Sequence, residues 1–221
     1  MKIKAIITGS TGMVGEGVLL ECLKHPDVEQ VLVINRKPCG VEHPKLKEIV
    51  HSDFFDLTPI ENQLSGYNAC YFCLGVTSVG KREEEYKRLT YDLTMHAATL
   101  LAGMNPDMVF CYVTGAGTDS SERGKSMWAR VKGKTENDIL KLPFRKAFMF
   151  RPGYMHPTKG AKNTQKYYRA AAWLYPVLKR VLPNHVIKLS DLGLAMVHSV
   201  NTDYPKSILE VRDIIQLAKA E

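Results

Sequence analysis

The sequence predicts an α/β fold, a doubly wound parallel sheet forming a single domain, and three observations carry the prediction. Short apolar, β-branched runs alternate with longer segments whose apolar residues recur at three- and four-residue steps. A glycine-rich turn separates the first run from the first helical segment. No apolar run approaches the ~18 residues that a membrane-spanning helix requires.

Taken in order, the strand-like runs are Ile3 to Thr8, Val31 to Asn35, Glu48 to His51, Ala69 to Leu74, Met108 to Thr114 and Ala147 to Phe150. Between them, Val14 to Lys24 gathers Val14, Val18, Leu19, Cys22 and Leu23 on one helical face, and Tyr86 to Ala102 and Trp128 to Leu140 repeat the periodicity. Alternation of this kind builds a parallel sheet with right-handed crossovers and helices on both faces. It stops after Arg151-Pro152-Gly153. Residues 154–205 read as an irregular, aromatic-rich flap around one amphipathic helix, Ala170 to Leu182. The flap is expected on the substrate side, at the carboxyl edge where open α/β sheets place their ligands, within a single domain spanning 1–221.

Thr8-Gly9-Ser10-Thr11-Gly12-Met13-Val14-Gly15 stands between the first strand and the first helix. In a Rossmann fold the first glycine permits the tight turn, the second lets the backbone approach a pyrophosphate, and the third lets the helix pack on the strand. The phosphates then meet free N–H groups at the positive end of the helix. Strand, turn, helix and second strand follow in the required order, so the pattern predicts a dinucleotide site rather than a structural turn. The second strand ends Asn35-Arg36-Lys37, and the first acid after it is Glu42. A guanidinium there suits a 2′-phosphate, which it can grip with two parallel hydrogen bonds, so NADP(H) is expected over NAD(H). Asp53 reads either as an acceptor for the adenine amine or as a helix cap. Leu74-Gly75-Val76-Thr77 closes the fourth strand, with Gly75 where a dinucleotide backbone passes closest, or as a plain turn glycine.

With 221 residues, 45% hydrophobic and 24% charged, the chain has the composition of an ordinary globular protein. Met1-Lys2 leads directly into the first strand without an apolar leader or cleavage site, which predicts a cytoplasmic protein. The five cysteines are odd in number and three lie in apolar runs, so no disulfide is expected. Cys70 and Cys73 form a C-x-x-C with no second pair, which reads as core, and no metal is expected. The net charge of +7 is uneven: between Ile139 and Ser190 there is no acid, while Lys and Arg recur from Lys141 to Lys188. A solvated basic face, a nearby anionic ligand, and a nucleic-acid or anionic membrane surface all remain open.

These residues together resemble the atypical short-chain dehydrogenases, and within them the family of the Tat-interactive tumour-suppressor protein and its bacterial relatives. The resemblance runs from the glycine turn to about Val200. It is carried by the glycine turn, Asn35-Arg36-Lys37, Tyr71-Phe72-Cys73-Leu74-Gly75-Val76-Thr77, Val131-Lys132-Gly133-Lys134-Thr135-Glu136 and Phe150-Arg151-Pro152-Gly153. In such families a Tyr-x-x-x-Lys pair on the helix after the fifth strand acts with a Ser or Thr at that strand's end. The lysine binds the nicotinamide ribose and lowers the tyrosine's pKa for proton exchange with a carbonyl. The resemblance implies Lys132 as that lysine, Thr114, with Thr118 second, as the hydroxyl, and cofactor contacts from Pro152 and Gly153. The tyrosine position holds Trp128, whose indole N–H cannot act as an acid near neutral pH. Tyr154 and Tyr112 read as replacement donors or, equally, as core. The literal Tyr175 and Lys179 pair falls in the flap and reads as a coincidence.

Three functions remain open on these residues. The first is an NADP(H)-dependent oxidoreductase passing hydride to a small conjugated or carbonyl acceptor, an anionic one included. The second is an inert NADP(H)-binding regulatory or interaction protein. The third is a basic surface binder, resting on Trp173-Leu174, Val177-Leu178 and Val181-Leu182 beside Lys179 and Arg180. A small-molecule partner is expected and nucleic acid is not; a homo-oligomer is left open.

Overall fold

A computed structural model describes residues 1–158, 160–164 and 172–220. Seven parallel strands form the central sheet in the order β3-β2-β1-β4-β5-β6-β9. They are β1 Ile3–Thr8, β2 Val28–Asn35, β3 Leu46–Val50, β4 Ala69–Phe72, β5 Val109–Val113, β6 Lys146–Arg151 and β9 Ile208–Glu210. Chain order reverses between β1 and β4, which makes the carboxyl ends of these two strands the topological switch point where such sheets bind ligands.

The inner strands β4 and β5 read as unbroken apolar runs because both faces are covered. Ile3, Ala5 and Ile7 of β1 join one core layer with Val18, Leu19 and Cys22 of α1 (Met13–Lys24). Ile6 faces the opposite layer, with Leu32, Ile34, Phe110 and helix α3 (Leu93–Met104). The predicted helix Tyr86 to Ala102 begins earlier than its apolar pattern, as α2 (Glu83–Lys87), and passes through a π turn at Arg88–Asp92 before α3. Helix α4 (Met127–Ile139) follows β5.

The expected flap is not uniform. Strands β7 (Tyr154–His156) and β8 (Val186–Lys188) pair in parallel as a small second sheet, with helix α5 (Tyr175–Val181) between them in sequence. The start of the predicted helix Ala170 to Leu182 lies outside the described residues, as do Lys159, Lys166 and Arg169 of the basic stretch. Helix α6 (Leu189–Ser199), placed by sequence in the irregular flap, is instead core: Leu189, Leu192 and Met196 are buried in the layer that holds α1. The two helices meet at glycines, since a Cβ on Gly17 would lie 2.4 Å from the Leu189 side chain. The seventh strand leads directly into α7 (Val211–Leu217), where the Asp213 carboxylate accepts the Glu210 N–H at 3.2 Å. No helix among the described residues is long and apolar enough to cross a membrane.

Candidate functional site

The glycine turn has the geometry its spacing predicts. Gly9 sits at φ +72° with its Cα against the Cys73 and Leu74 backbone, a conformation and an approach that a side chain would not tolerate. A Cβ on Gly15 would lie 2.2 Å from the Gly9 carbonyl oxygen, so the third glycine seats α1 on the turn. Gly12 caps α1, and a Cβ there would meet only the Gly9 oxygen, at 3.4 Å. Its place is open to whatever approaches the helix end.

Two cavities adjoin this turn and share Gly12, Cys73, Leu74 and Gly75. The smaller, about 230 Å³, is lined by Gly9, Thr11, Ile34, Asn35, Arg36 and Phe54. Arg36 is exposed and has no carboxylate partner among the described residues. Glu48, the carboxylate at this end of β3, is occupied: it accepts Asn35 Nδ2 and the Cys39 N–H, both at 2.9 Å, while Asn35 receives the Ser10 hydroxyl. The larger cavity, about 610 Å³, brings together Met13, Val14, Val76, Thr77, Thr114, Trp128, Lys132, Pro152 and Gly153. Tyr86 also lines it, a placement that its position on an amphipathic helix does not by itself predict.

Lys132 is the charged group of this larger cavity. Its Nζ donates to the Thr114 carbonyl oxygen at 2.6 Å, and burial lowers its pKa to about 8, with Glu136 one helical turn on opposing the shift. The Thr114 hydroxyl does not serve the role the resemblance implies. It donates to Glu136 Oε1 at 2.6 Å and lies 3.2 Å from the Phe150 oxygen, so it is turned into the protein. Glu136 is fully buried and paired with Arg151, whose Nε lies 3.1 Å from Oε1 and whose Nη2 also binds it. Arg151 extends the network to Ser120 at 2.5 Å and Glu210 at 3.2 Å. In the sequence Glu136 and Arg151 stand only as carriers of a resemblance, and their pairing across elements is not legible from either.

Other expected residues are not brought in. Asp53 is exposed and accepts the Phe55 N–H at 2.8 Å, a local turn, and its neighbour Phe54 lines the cavity instead. Lys37 is exposed outside both linings. Tyr112 is core, its hydroxyl pKa raised by burial. Tyr154 pairs through its N–H with His185 on β7's side of the molecule, and Met155 rather than Tyr154 lines the cavity. Thr118 closes a turn by donating to the Gly115 oxygen at 2.8 Å. Tyr175 and Lys179 lie on α5, outside both cavities. Trp128 does line the larger one, on the same face of α4 as Lys132, with its ring 3.7 Å from where a Gly117 Cβ would stand. Glu16, just inside α1, accepts the Lys162 and Asn163 N–H groups, both at 2.7 Å, tying the segment after β7 to the first helix.

No family model matches the sequence. Among curated proteins it is 28% identical to the mitochondrial protein FMP52-2 of Scheffersomyces stipitis over 158 residues, 70% of this chain and 67% of that protein. It is 23% identical to FMP52 of Meyerozyma guilliermondii over 69% of this chain and 65% of the relative, and 25% identical to FMP52 of Coccidioides immitis over 97% and 96%. The first two matches thus span about two thirds of the relatives' length. Among solved structures, a UDP-N-acetylglucosamine 4-epimerase of Methanobrevibacter ruminantium superposes with TM-score 0.67 at 14% identity, covering 98% of this chain and 81% of that one. The Bordetella bronchiseptica enzyme WbmG, solved with NAD, gives TM-score 0.66 at 12% identity, covering 99% and 77%. The fold is the Rossmann fold of these structures. Two expectations are corrected. The curated relatives carry the FMP52 name, not that of the Tat-interactive family. They are named mitochondrial, which overturns the cytoplasmic assignment drawn from the start of the chain.

Proposed function

We propose that the protein binds NADP(H) and is an oxidoreductase that passes hydride to a small conjugated or carbonyl acceptor. The observation that carries this reading is the pair of cavities meeting over Gly12, with Arg36 free of carboxylates at one end and Lys132 at the other. The residues fit the group: Gly12 leaves the helix end bare for a pyrophosphate, and Glu48, already engaged, does not oppose a 2′-phosphate at Arg36.

Bound NADPH would supply hydride to the acceptor. Arg36 would hold the 2′-phosphate, the Gly9 to Gly15 turn the pyrophosphate, and Lys132 the nicotinamide ribose. Trp128 lines the cavity beside Lys132, but its indole supplies no proton. The acceptor class follows from this: a conjugated acceptor can take hydride at carbon and its proton from water. A second reading is favoured by the Thr114 hydroxyl being turned to Glu136 while Trp128 fills the tyrosine position, which leaves two of three catalytic groups without acid–base function. It is an NADP(H)-binding regulatory protein. Titration with NADPH and NADH tests the binding that both readings share, and NADPH consumption with an acceptor panel separates them.

A further inference from the structure

We infer that the outward face of α5 and the turn before it is a docking surface for an anionic lipid bilayer. This lies apart from the cofactor cavities and beyond the reading given above. Of the nine large hydrophobic residues exposed among those described, four fall within ten positions here: Trp173 is 75% exposed, Val177 59%, Val181 67% and Leu182 45%. Trp173, Val177 and Val181 recur at four-residue steps, so a single stripe of the helical segment faces outward.

The opposite side of the segment is anchored. Tyr175 packs against His156 of β7 with ring centroids 4.2 Å apart, and no residue of α5 is fully buried. The helix therefore lies on the surface with its apolar stripe turned away from the protein, the reverse of a helix folded for core packing.

Charge decides the occupant. Lys179 and Arg180 are exposed beside the stripe, and neither has a carboxylate partner among the described residues. Arg212 reaches the adjoining turn through Asn184 at 2.5 Å. The acid that faces the segment is Asp191, near Tyr175 on its inner side. An exposed tryptophan and valines flanked by Arg180 and by Lys179, whose ammonium lies 6.0 Å from the Tyr175 ring and meets no carboxylate among the described residues, in a stretch without acids from Ile139 to Ser190, match the apolar boundary and negative headgroups of a bilayer. A second copy of this chain would bring cations against cations.

Co-sedimentation of the full chain with vesicles of phosphatidylcholine, with and without phosphatidylserine, tests this. Binding is expected only with phosphatidylserine, weakening as salt is raised. Val177→Asp should lower partition about tenfold or more, as should Lys179→Glu with Arg180→Glu, while the thermal-unfolding midpoint stays close to wild type. In a Trp128→Phe background Trp173 is the remaining tryptophan, and its emission should shift to the blue on anionic vesicles. No binding to either vesicle, or binding that Val177→Asp leaves unchanged, overturns the inference. So does a dimer in sedimentation velocity that Val177→Asp dissociates without any vesicle binding.

Discussion

Lys132 and Thr114 are joined the opposite way round from the expected catalytic arrangement: the lysine ammonium donates to the threonine carbonyl oxygen at 2.6 Å, while the threonine hydroxyl is given to Glu136. Helix α4 is thereby fixed to the end of β5 by one charge-assisted bond beside the larger cavity.

This contact sets a pH dependence. Lys132 titrates near 10.5 in the unfolded chain and near 8 when buried. Between those values the unfolded chain holds more protons, so this group makes stability rise with pH, and below about 8 the fold carries the full cost of the buried ammonium. Urea unfolding of wild type and Lys132→Met across that window should show the difference shifting in favour of wild type as pH rises. A difference independent of pH would contradict the burial of the charge.

Arg36→Ala should remove the preference for NADPH. Wild type is expected to bind NADPH at least about tenfold tighter than NADH, about 1.4 kcal/mol, from charge-assisted pairing to the 2′-phosphate. Thermal-shift titration with each cofactor reads it. Equal shifts in wild type would sink the assignment of Arg36.

The three glycines of the turn should separate in their effects. Gly12→Val is expected to fold, since a Cβ there meets only one atom at 3.4 Å, and to lose cofactor binding because the side chain fills the helix end. Gly15→Val, whose Cβ would stand 2.2 Å from the Gly9 oxygen, should fail to fold stably. Normal NADPH binding by Gly12→Val would move the phosphate site elsewhere.

Glu136→Gln leaves Arg151 buried with only the half-exposed Glu210 as a carboxylate partner. Loss of one member of a buried pair costs about 3–5 kcal/mol, so the urea midpoint should fall well below that of wild type. A loss under about 1 kcal/mol would show that the network contributes little.

The fold was legible because strand–helix alternation and the glycine turn are local signals. β1 to β6, α1 and α4 lie within a few residues of their predicted limits. β9 escaped because three residues, Ile208 to Glu210, run straight into a helix and leave no alternation to read. α6 carried a readable pattern at Leu189, Leu192 and Met196, masked by the loss of regularity before it. The cavity-lining residues of the turn, Arg36, Gly75 and Lys132 were visible as motifs. The orientation of the Thr114 hydroxyl was not, because it is set by Glu136, twenty-two positions away on another element. Asp53 failed for a similar reason: its carboxylate is taken by the Phe55 N–H two residues on.

NADPH consumption monitored across a panel of quinones, conjugated carbonyls and simple aldehydes, for wild type, Lys132→Ala and Trp128→Tyr, tests the oxidoreductase reading most directly. Wild type should turn over at least one conjugated acceptor, and Lys132→Ala should abolish that turnover. Trp128→Tyr places a phenol one helical turn from Lys132 and should extend activity to simple carbonyls, where general acid catalysis contributes about 10²–10⁴ in rate. Tight NADPH binding without turnover by wild type or Trp128→Tyr would contradict the enzyme and leave the regulatory protein.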